Sequence, residues 1–367
     1  MQIDRRSFML ALASSFVAGG MPAFARERLY VSACNDAAGV SNLAVFTADG
    51  GTLFKTQLPD RGHDIALSPA SPDLVVFARR PGDWMAVIDR RNGAVKVVVR
   101  SPEGRHFYGH GTYSGDGTLL YATENNLETG QGVLGVYDTA ANYRRIGEQP
   151  THGIGPHDVA FMPGKELLLV ANGGARTDPA SGREILNKHR MEPSLALVDP
   201  RSGEARYKVD FGSDLTGLSV RHLAVASDGE AAFACQYEGD PEEAPPLVGL
   251  VSKDGRTRML GMPDEDLYRL NNYLGAICLD GSERLIAATS PRGGMAAFWD
   301  RSTGRYLGLA PMPDVCGVAA APEAGTFIVS SGNAGVKIAR AETHDLARVG
   351  GSDLDRYMWD NHIEIVT

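Results

Sequence analysis

Cysteine is scarce in this chain, which has only four cysteines among its 367 residues. They are Cys34, Cys235, Cys278 and Cys316, and no two of them form a Cys-x-x-Cys pair. That absence excludes a zinc ribbon and a haem attachment motif. Because a chain of this size does not need a disulfide to be stable, we expect most of the four to be buried free thiols.

Long apolar runs and basic stripes are also missing. Beyond the N-terminal segment, no stretch is long and apolar enough to cross a membrane. The formal net charge is −9, so we expect no nucleic-acid partner. Charged residues make up 22% and hydrophobic residues 43% of the chain, which is typical of a folded globular protein.

Common catalytic motifs are absent as well. The chain has neither a Gly-x-Ser-x-Gly nucleophile elbow nor a His-Glu-x-x-His zinc motif. Its glycine-rich segments GGTLFKT and GIGPHD lack the pattern of a phosphate-binding loop followed by a helix. Serine-hydrolase and nucleotide-binding chemistry are therefore not indicated.

The first 25 residues have the pattern of an export signal. MQIDRRSFMLALASSFVAGGMPAFA places paired arginines, Arg5 and Arg6, before an apolar stretch and a small-residue cleavage site that ends at Ala25. The DRRSF context resembles the twin-arginine type, with an ordinary secretion signal or an uncleaved anchor as alternatives. We therefore predict a periplasmic protein whose remaining domain spans residues 26–367.

One local pattern repeats along the whole chain. A short segment that opens an alternating apolar run, usually with a histidine, recurs at intervals of 42 to 65 residues. Its copies are GHDIAL at 62–67, GHGTYS at 109–114, PHDVAF at 156–161, RHLAVA at 221–226, YLGAIC at 273–278, VCGVAA at 315–320 and NHIEIV at 361–366. Such intervals are typical of β-propeller blades, and helical periodicity is nearly absent.

Six of these copies are followed by three more strands, joined in places by Asp-x-x-x-Gly segments that predict tight hairpins. The seventh, NHIEIV, is a lone first strand at the C-terminus, whereas RLYVSACN, NLAVFTA and TLFKTQL at the N-terminus lack a first strand. We therefore predict an all-β fold, a seven-bladed β-propeller closed by pairing the N-terminal strands with the C-terminal strand. The longest interval predicts an insertion at 174–193, between the second and third strands of blade three.

Five of the nine histidines occupy the same position of this repeat. The first strand of a propeller blade is innermost, so these side chains are expected near one mouth of the central channel. They are His63, His110, His157, His222 and His362, in blades one, two, three, four and seven. Leu274 and Cys316 occupy the equivalent places of blades five and six.

Several imidazoles at one mouth predict a transition-metal site. Imidazole is a good ligand for Zn, Cu, Fe and Ni, and we predict iron or copper here. Because the ring separates opposite blades, we expect three neighbours, such as the histidines of blades one to three, to form the shell with help from the other two. Glu124, where a second strand ends, is predicted to complete a mixed nitrogen and oxygen shell suited to iron.

The same repeat also fits a structural role. Many propellers carry a Gly-His pair before the inner strand that hydrogen-bonds within the blade and binds nothing. Here the histidine of HDIALSP already stands at the start of the strand, and only Trp299-Asp300 looks like the Trp-Asp pair that usually accompanies such histidines. A binding site and a set of repeated structural histidines both remain open from the sequence.

The leader, the strands GHDIALSP, YGHGTYS and GIGPHDVAFMPG, and the segment ANGG…SGREILN…MEPSL together resemble a bacterial family catalogued as domain of unknown function 1513. The resemblance covers essentially the whole of residues 26–367. It implies a periplasmic, WD40-like seven-bladed propeller whose genes lie beside those of imelysin-like iron-regulated proteins and a cytochrome-like oxidoreductase. By that association it implies iron handling, with periplasmic proteins of the imelysin type as partners, and it implies no catalytic residue.

Three classes of function follow from these observations. The first is a metal-binding or iron-uptake accessory protein. The second is a lactonase-like hydrolase that uses a metal and polar groups at the channel mouth. The third is a non-catalytic interaction platform in which the histidines are structural. We expect a monomer that does not span a membrane.

Overall fold

The fold is a ring of seven four-stranded antiparallel β-sheets. The computed structural model describes residues 28–366 except residues 165, 183, 212–214, 216, 351 and 352, so the leader predicted over residues 1–25 lies outside the described residues. The innermost strand of each sheet contacts the innermost strand of the next, all the way round. The prediction of an all-β, seven-bladed propeller is therefore confirmed.

Each sheet is one blade. Blade seven contains β1 (Leu29–Asn35), β2 (Ser41–Thr47) and β3 (Thr52–Gln57), with β28 (Met358–Val366) innermost. The other blades run from the innermost strand to the outermost in chain order. Blade one contains β4 (Gly62–Leu67), β5 (Asp73–Ala78), β6 (Trp84–Asp89) and β7 (Ala94–Arg100). Blade two contains β8 (Arg105–Tyr113), β9 (Leu119–Asn126), β10 (Gly132–Asp138) and β11 (Arg144–Pro150). Blade three contains β12 (Pro156–Phe161), β13 (Leu168–Asn172), β14 (Ser194–Val198) and β15 (Ala205–Asp210). Blade four contains β16 (Leu218–Val225), β17 (Ala231–Tyr237), β18 (Val248–Val251) and β19 (Thr257–Leu260). Blade five contains β20 (Ala276–Leu279), β21 (Leu285–Ser290), β22 (Met295–Asp300) and β23 (Tyr306–Pro311). Blade six contains β24 (Val315–Ala320), β25 (Thr326–Ser331), β26 (Val336–Arg340) and β27 (Leu346–Arg348).

Blade seven joins the two ends of the described chain. β28 pairs antiparallel with β1, so that Leu29 faces Val366. Within this blade the Phe46 and Trp359 rings lie 5.2 Å apart. Ile328 of blade six belongs to the same buried apolar cluster, which packs the two blades together. Pairing the ends removes the exposed sheet edges that an open ring would leave, as the split repeat predicts.

The insertion at 174–193 lies where the sequence predicts it, between β13 and β14. Two 3-10 turns interrupt it, at Pro179–Ser181 and Lys188–Arg190, and a further 3-10 turn spans Leu354–Arg356. One α-helix, α1 (Asp264–Arg269), is present in the described part of the chain. None of the helices described has the length and apolarity that crossing a membrane requires.

Burial explains which segments form the middle and the rim of a blade. β6 is buried along its whole length because it packs between neighbouring blades, whereas the outermost β7 is mostly exposed. The predicted Asp-x-x-x-Gly hairpin connects them: the Gly93 N–H donates to the Asp89 carbonyl at 2.8 Å, with a φ of +74° that favours glycine. The four cysteines are free thiols, as predicted, and all but Cys278 are buried.

Candidate metal centre

A bulge interrupts the regular strand ladder at or beside each of the five histidines. In β12, the pairing with β13 shifts between Pro156 and Asp158, which leaves His157 without a partner residue. A shift also falls at or beside the histidine in β4, β8, β16 and β28. A bulge re-aims side chains at the point where it interrupts the ladder. In β8 it requires Gly109, whose φ is +109° and whose added Cβ would lie only 3.0 Å from Cδ2 of His63.

The five imidazole rings meet in one buried group, called here the histidine cluster: His63, His110, His157, His222 and His362. Ring centroids from adjacent blades are close, at 4.7 Å for His110 and His157 and 4.6 Å for His63 and His362. Rings from distant blades are equally close, since His222 and His362 lie 4.9 Å apart across the channel. The expectation that the ring keeps opposite blades apart is wrong, because the innermost strands enclose a channel only a few side chains wide.

Four ring nitrogens of the cluster are buried without a hydrogen-bond partner. They are Nε2 of His110, Nδ1 of His157, Nδ1 of His222 and Nε2 of His362. Burying a polar atom unsatisfied costs about 1–3 kcal/mol, so four together in one place need an explanation. Two sets of three histidines bring one ligand atom each to within 4.8 Å of the others: His63, His110 and His157, and His110, His222 and His362. His110 belongs to both sets and is therefore the centre of the arrangement.

Asp360 orients the imidazole of His63 through a hydrogen bond at Nδ1. Its Oδ1 lies 2.9 Å from Nδ1 of His63, and its Oδ2 accepts hydrogen bonds from Arg61 and Arg79 at 2.6 and 3.0 Å. Burial acts to raise the pKa of Asp360, but the bond to His63 and the charges of Arg79 and Arg61 hold it well below its usual range. An ionised acceptor at Nδ1 leaves Nε2 as the nitrogen available to a metal, which is the carboxylate–histidine arrangement of metal sites.

Two further carboxylates approach His110. Its Nδ1 lies 3.2 Å from Oδ2 of Asp64 in blade one and 3.6 Å from Oδ1 of Asp158 in blade three. Burial acts to lower the pKa of His110, but the charges of Asp64 and Asp158 outweigh it and raise that pKa. Asp158 also accepts from the backbone N–H of Leu223 at 2.9 Å, and burial next to Asp64 raises the pKa of Asp158 to about 6. The contacts of this one imidazole therefore join three blades.

Burial keeps the rest of the cluster neutral. It lowers the pKa of His63 to about 4, and it lowers the pKa values of His157, His222 and His362 well below the ordinary value, with neighbouring imidazoles adding to the effect. Metal binds the neutral form of imidazole, so these four side chains are ready ligands at neutral pH. Further along β28, burial and two neighbouring carboxylates raise the pKa of Glu364 well above its usual range.

The structure does not bring Glu124 together with the histidine cluster. Its carboxylate accepts from the Tyr137 hydroxyl at 2.6 Å and from Arg145 at 2.9 Å, on the third and fourth strands of blade two. It lies over Gly135, where an added Cβ would be 1.9 Å from its Oε1. Because this carboxylate is directed outward along the blade and is already paired, Glu124 does not complete the shell that the sequence predicts.

A cavity of about 640 Å³ lies over the histidine cluster and is lined in part by His63, His157 and His222. The insertion at 174–193 contributes Ala175 and Thr177 to its wall, so this loop lies at the channel mouth. A cavity of this size suits a small molecule. The cluster is thus reached from the face that carries the longest loop.

Sequence reasoning missed the three carboxylates behind the histidines. A signal for two of them was visible, because His63-Asp64 and His157-Asp158 repeat the same dipeptide. In a regular strand, adjacent side chains point to opposite faces, so the dipeptide does not by itself place both in the channel. Asp360 stands two residues before His362 and is not part of a His-Asp dipeptide, so no sequence pattern marks it.

Seven blades closed around a buried group of imidazoles define the class: a β-propeller with a candidate metal centre in its channel. The chain belongs to the family described as Protein of unknown function (DUF1513), whose model matches residues 56–366, which confirms the resemblance found in the sequence. Comparison with curated proteins finds no match. Among solved structures, the chain is similar to Kuenenia stuttgartiensis hydrazine synthase, with 13% identity and a TM-score of 0.59 over 83% of this chain and 88% of that chain. At this identity the similarity shows the fold alone.

Proposed function

We propose that the protein binds a transition-metal ion, copper or iron, in the histidine cluster. The observation that carries the proposal is the group of four buried ring nitrogens that have no hydrogen-bond partner. Histidines that served only to tie the blades together would use these nitrogens in hydrogen bonds. Instead, the carboxylates approach His63 and His110 at Nδ1, and in each of the two sets of three histidines one ring nitrogen per residue lies within 4.8 Å of the others.

The donor set supports copper at least as well as iron. Without Glu124, the shell contains imidazole nitrogens alone, and a given set of such ligands binds Cu²⁺ more tightly than Fe²⁺. Asp360 and Asp64, which approach Nδ1 of His63 and His110, would raise the basicity of those two ligands. Iron would gain from an oxygen ligand supplied from the cavity above.

The proposal extends to where the protein works. The predicted twin-arginine leader supports export to the periplasm, and the resemblance supports a place in iron handling beside proteins of the imelysin type. In that setting the propeller would serve as a metal-binding accessory protein. This part of the proposal depends on the sequence and the resemblance alone.

The test is calorimetric titration of Cu²⁺, and of Fe²⁺ without oxygen, into metal-stripped protein. The parent is expected to bind one of the two ions. His110→Ala removes the ligand common to both sets of three, so it should weaken binding by more than the roughly 10–100-fold that loss of an outer-shell partner costs. His157→Ala should weaken binding as well. His189→Ala, in the exposed part of the long loop, is the matched control and should bind like the parent.

Two results would overturn the proposal. In the first, the parent binds neither ion. In the second, His110→Ala and His157→Ala bind as tightly as the parent but unfold more easily, by about 1 kcal/mol, as expected for the loss of one hydrogen bond each. The histidines would then be structural.

A further inference from the structure

Five arginines line the cavity above the histidine cluster: Arg61, Arg79, Arg80, Arg221 and Arg292. Two carboxylates, Glu238 and Asp314, share the lining with them. Asp360, beneath the lining, pairs with Arg61 and Arg79, and the remaining excess of positive charge stands out in a chain whose formal net charge is −9. A cationic, concave site in an acidic protein concentrates anions at its mouth.

The arginines lie on opposite sides of the cavity. Arg79 and Arg80 follow β5 in blade one, whereas Arg221 belongs to β16 in blade four and Arg292 follows β21 in blade five. The cavity between them has a volume of about 640 Å³, which is the size of a small-molecule site rather than of one compact ion. An anion with several separated negative groups can contact both sides, because each group meets its own guanidinium.

Two of these guanidinium groups are held against aromatic rings. Arg80 lies 4.1 Å from the ring centroid of Tyr108, and Arg292 lies 4.2 Å from that of Tyr273. An aromatic ring stacks on the face of a guanidinium group, whereas a carboxylate binds at the edge, in the plane of the guanidinium. One arginine can therefore stack on a tyrosine and bind a carboxylate at the same time. Side chains held in this way lose little further entropy when an anion binds.

Arg221 is a buried cation in the wall of this cavity. Its side chain is 4% exposed, and its nearest carboxylate oxygen, in Glu238, is 3.7 Å away. Its Nε is buried with no hydrogen-bond partner. A buried guanidinium that has an unused donor and lines a cavity is suited to an oxyanion ligand.

We propose that this cavity binds a small organic anion with two or more carboxylate groups, clamped between the arginines of blade one and those of blades four and five. His63, His157 and His222 line the same cavity, so a carboxylate of the bound anion lies next to the histidine cluster. The anion is then the source of oxygen ligands for the metal, a part of the inference that rests on the proposed function. The anion site itself does not require metal.

The experiment titrates citrate into metal-stripped protein by calorimetry, with acetate and inorganic phosphate as comparison anions. Citrate is expected to bind at one site, more tightly than either comparison anion, and to bind more weakly at high salt. The double variant Arg80→Gln/Arg292→Gln should weaken citrate binding at least about tenfold, since charge-assisted bonds are lost from both sides. Each single variant should have an intermediate effect.

Arg256→Gln is the matched control, because this arginine is 83% exposed and pairs with Asp254 far from the cavity lining. It should bind citrate like the parent. Circular dichroism melting and copper titration without citrate should be unchanged in the double variant, which would show that the fold and the histidine cluster are intact. Arg61 and Arg79 are left unaltered because they hold Asp360.

The proposal is overturned if the parent does not bind citrate, if the folded double variant binds it as tightly as the parent, or if phosphate binds more tightly than citrate. Because these titrations contain no metal, they are independent of the metal centre. Citrate binding by a protein that binds neither copper nor iron would support the anion site and refute the proposed function.

Discussion

Nδ1 of His63 lies 2.9 Å from Oδ1 of Asp360, a residue 297 positions further along the chain. This contact links the innermost strand of blade one to β28, the strand that closes the ring. Arg61 and Arg79 hold the same carboxylate from the cavity side. One buried carboxylate therefore spans the closure of the propeller and also orients a candidate metal ligand.

Asp360→Asn should weaken metal binding while the protein stays folded. The amide has nearly the same size but no charge, so His63 loses its anionic partner. Losing such a partner costs roughly 10–100-fold in metal affinity. Copper titration measures the change, and Asp254→Asn, at a carboxylate whose side chain is 57% exposed, is the control. A folded Asp360→Asn protein with parental affinity would contradict the role given to this residue.

The metal-free protein should lose stability as the pH falls from about 6.5 toward 4. The pKa of His63 is lowered to about 4 in the folded protein, whereas an unfolded histidine titrates near 6.5. Between these values the unfolded chain binds the proton and the folded one does not, so acid favours unfolding. His63 makes its full contribution to the free energy of unfolding above pH 6.5. Once the pH is below 4, that contribution has fallen by on the order of 3 kcal/mol.

His157, His222 and His362 shift in the same direction and deepen this loss. His110 acts in the opposite sense, because its raised pKa gives a stabilisation that is present at low pH and disappears as the pH rises through that value. Melting temperatures of metal-free protein between pH 7.5 and 4.5 test the balance. His222→Gln, which removes one titrating ring, should show a shallower decline. A His222→Gln protein whose melting temperature declined as steeply as that of the parent would show that His222 is not buried in its neutral form.

Glu124→Gln should lower stability and leave metal affinity unchanged. Glu124 is fully buried and accepts hydrogen bonds from Tyr137 and Arg145. The amide cannot compensate the guanidinium charge, although Arg145 keeps Glu148 at 2.6 Å, so we expect a loss of about 1–3 kcal/mol in the free energy of unfolding. Urea denaturation and copper titration measure the two effects. Weaker copper binding by a folded variant would show that Glu124 contributes to the metal site.

Deleting residues 361–367 should open the ring. This change removes most of the strand that pairs with β1, together with His362, and leaves a sheet edge exposed. The truncated protein should aggregate or melt well below the parent, as seen by size-exclusion chromatography and calorimetry. His362→Ala in the full chain separates loss of the imidazole from loss of the strand and should remain monomeric. A truncated protein as soluble and heat-stable as the parent would refute closure by this strand.

Replacing Arg5 and Arg6 together with lysine should leave the precursor in the cytoplasm. The twin-arginine pathway requires the arginine pair, whereas the general secretion pathway accepts lysine in its place. Fractionation of cells that express the parent or the variant measures export. Delivery of the lysine variant to the periplasm at the parental level would assign the leader to general secretion.

The sequence by itself determined the architecture and the common place of the five histidines. A repeat of blade length, with one copy split between the chain ends, specifies both the number of blades and the way the ring closes. Equivalent positions in a closed ring face the same axis, so His63, His110 and His157 had to approach the channel together. These conclusions need only the order of the residues, because each blade is a local structure that repeats.

Only the tertiary structure decided which atoms meet. Asp64 follows His63 in the chain but lies nearest His110 of the next blade, and Asp360 reaches His63 across the closure. Glu124 belongs to a second strand that ends at the mouth, yet its carboxylate lies outward among the strands of blade two. The physical reason is that a shift of one residue in register reverses the direction of a strand's side chains. Bulges at the histidines make that shift, and their positions depend on how neighbouring blades pack.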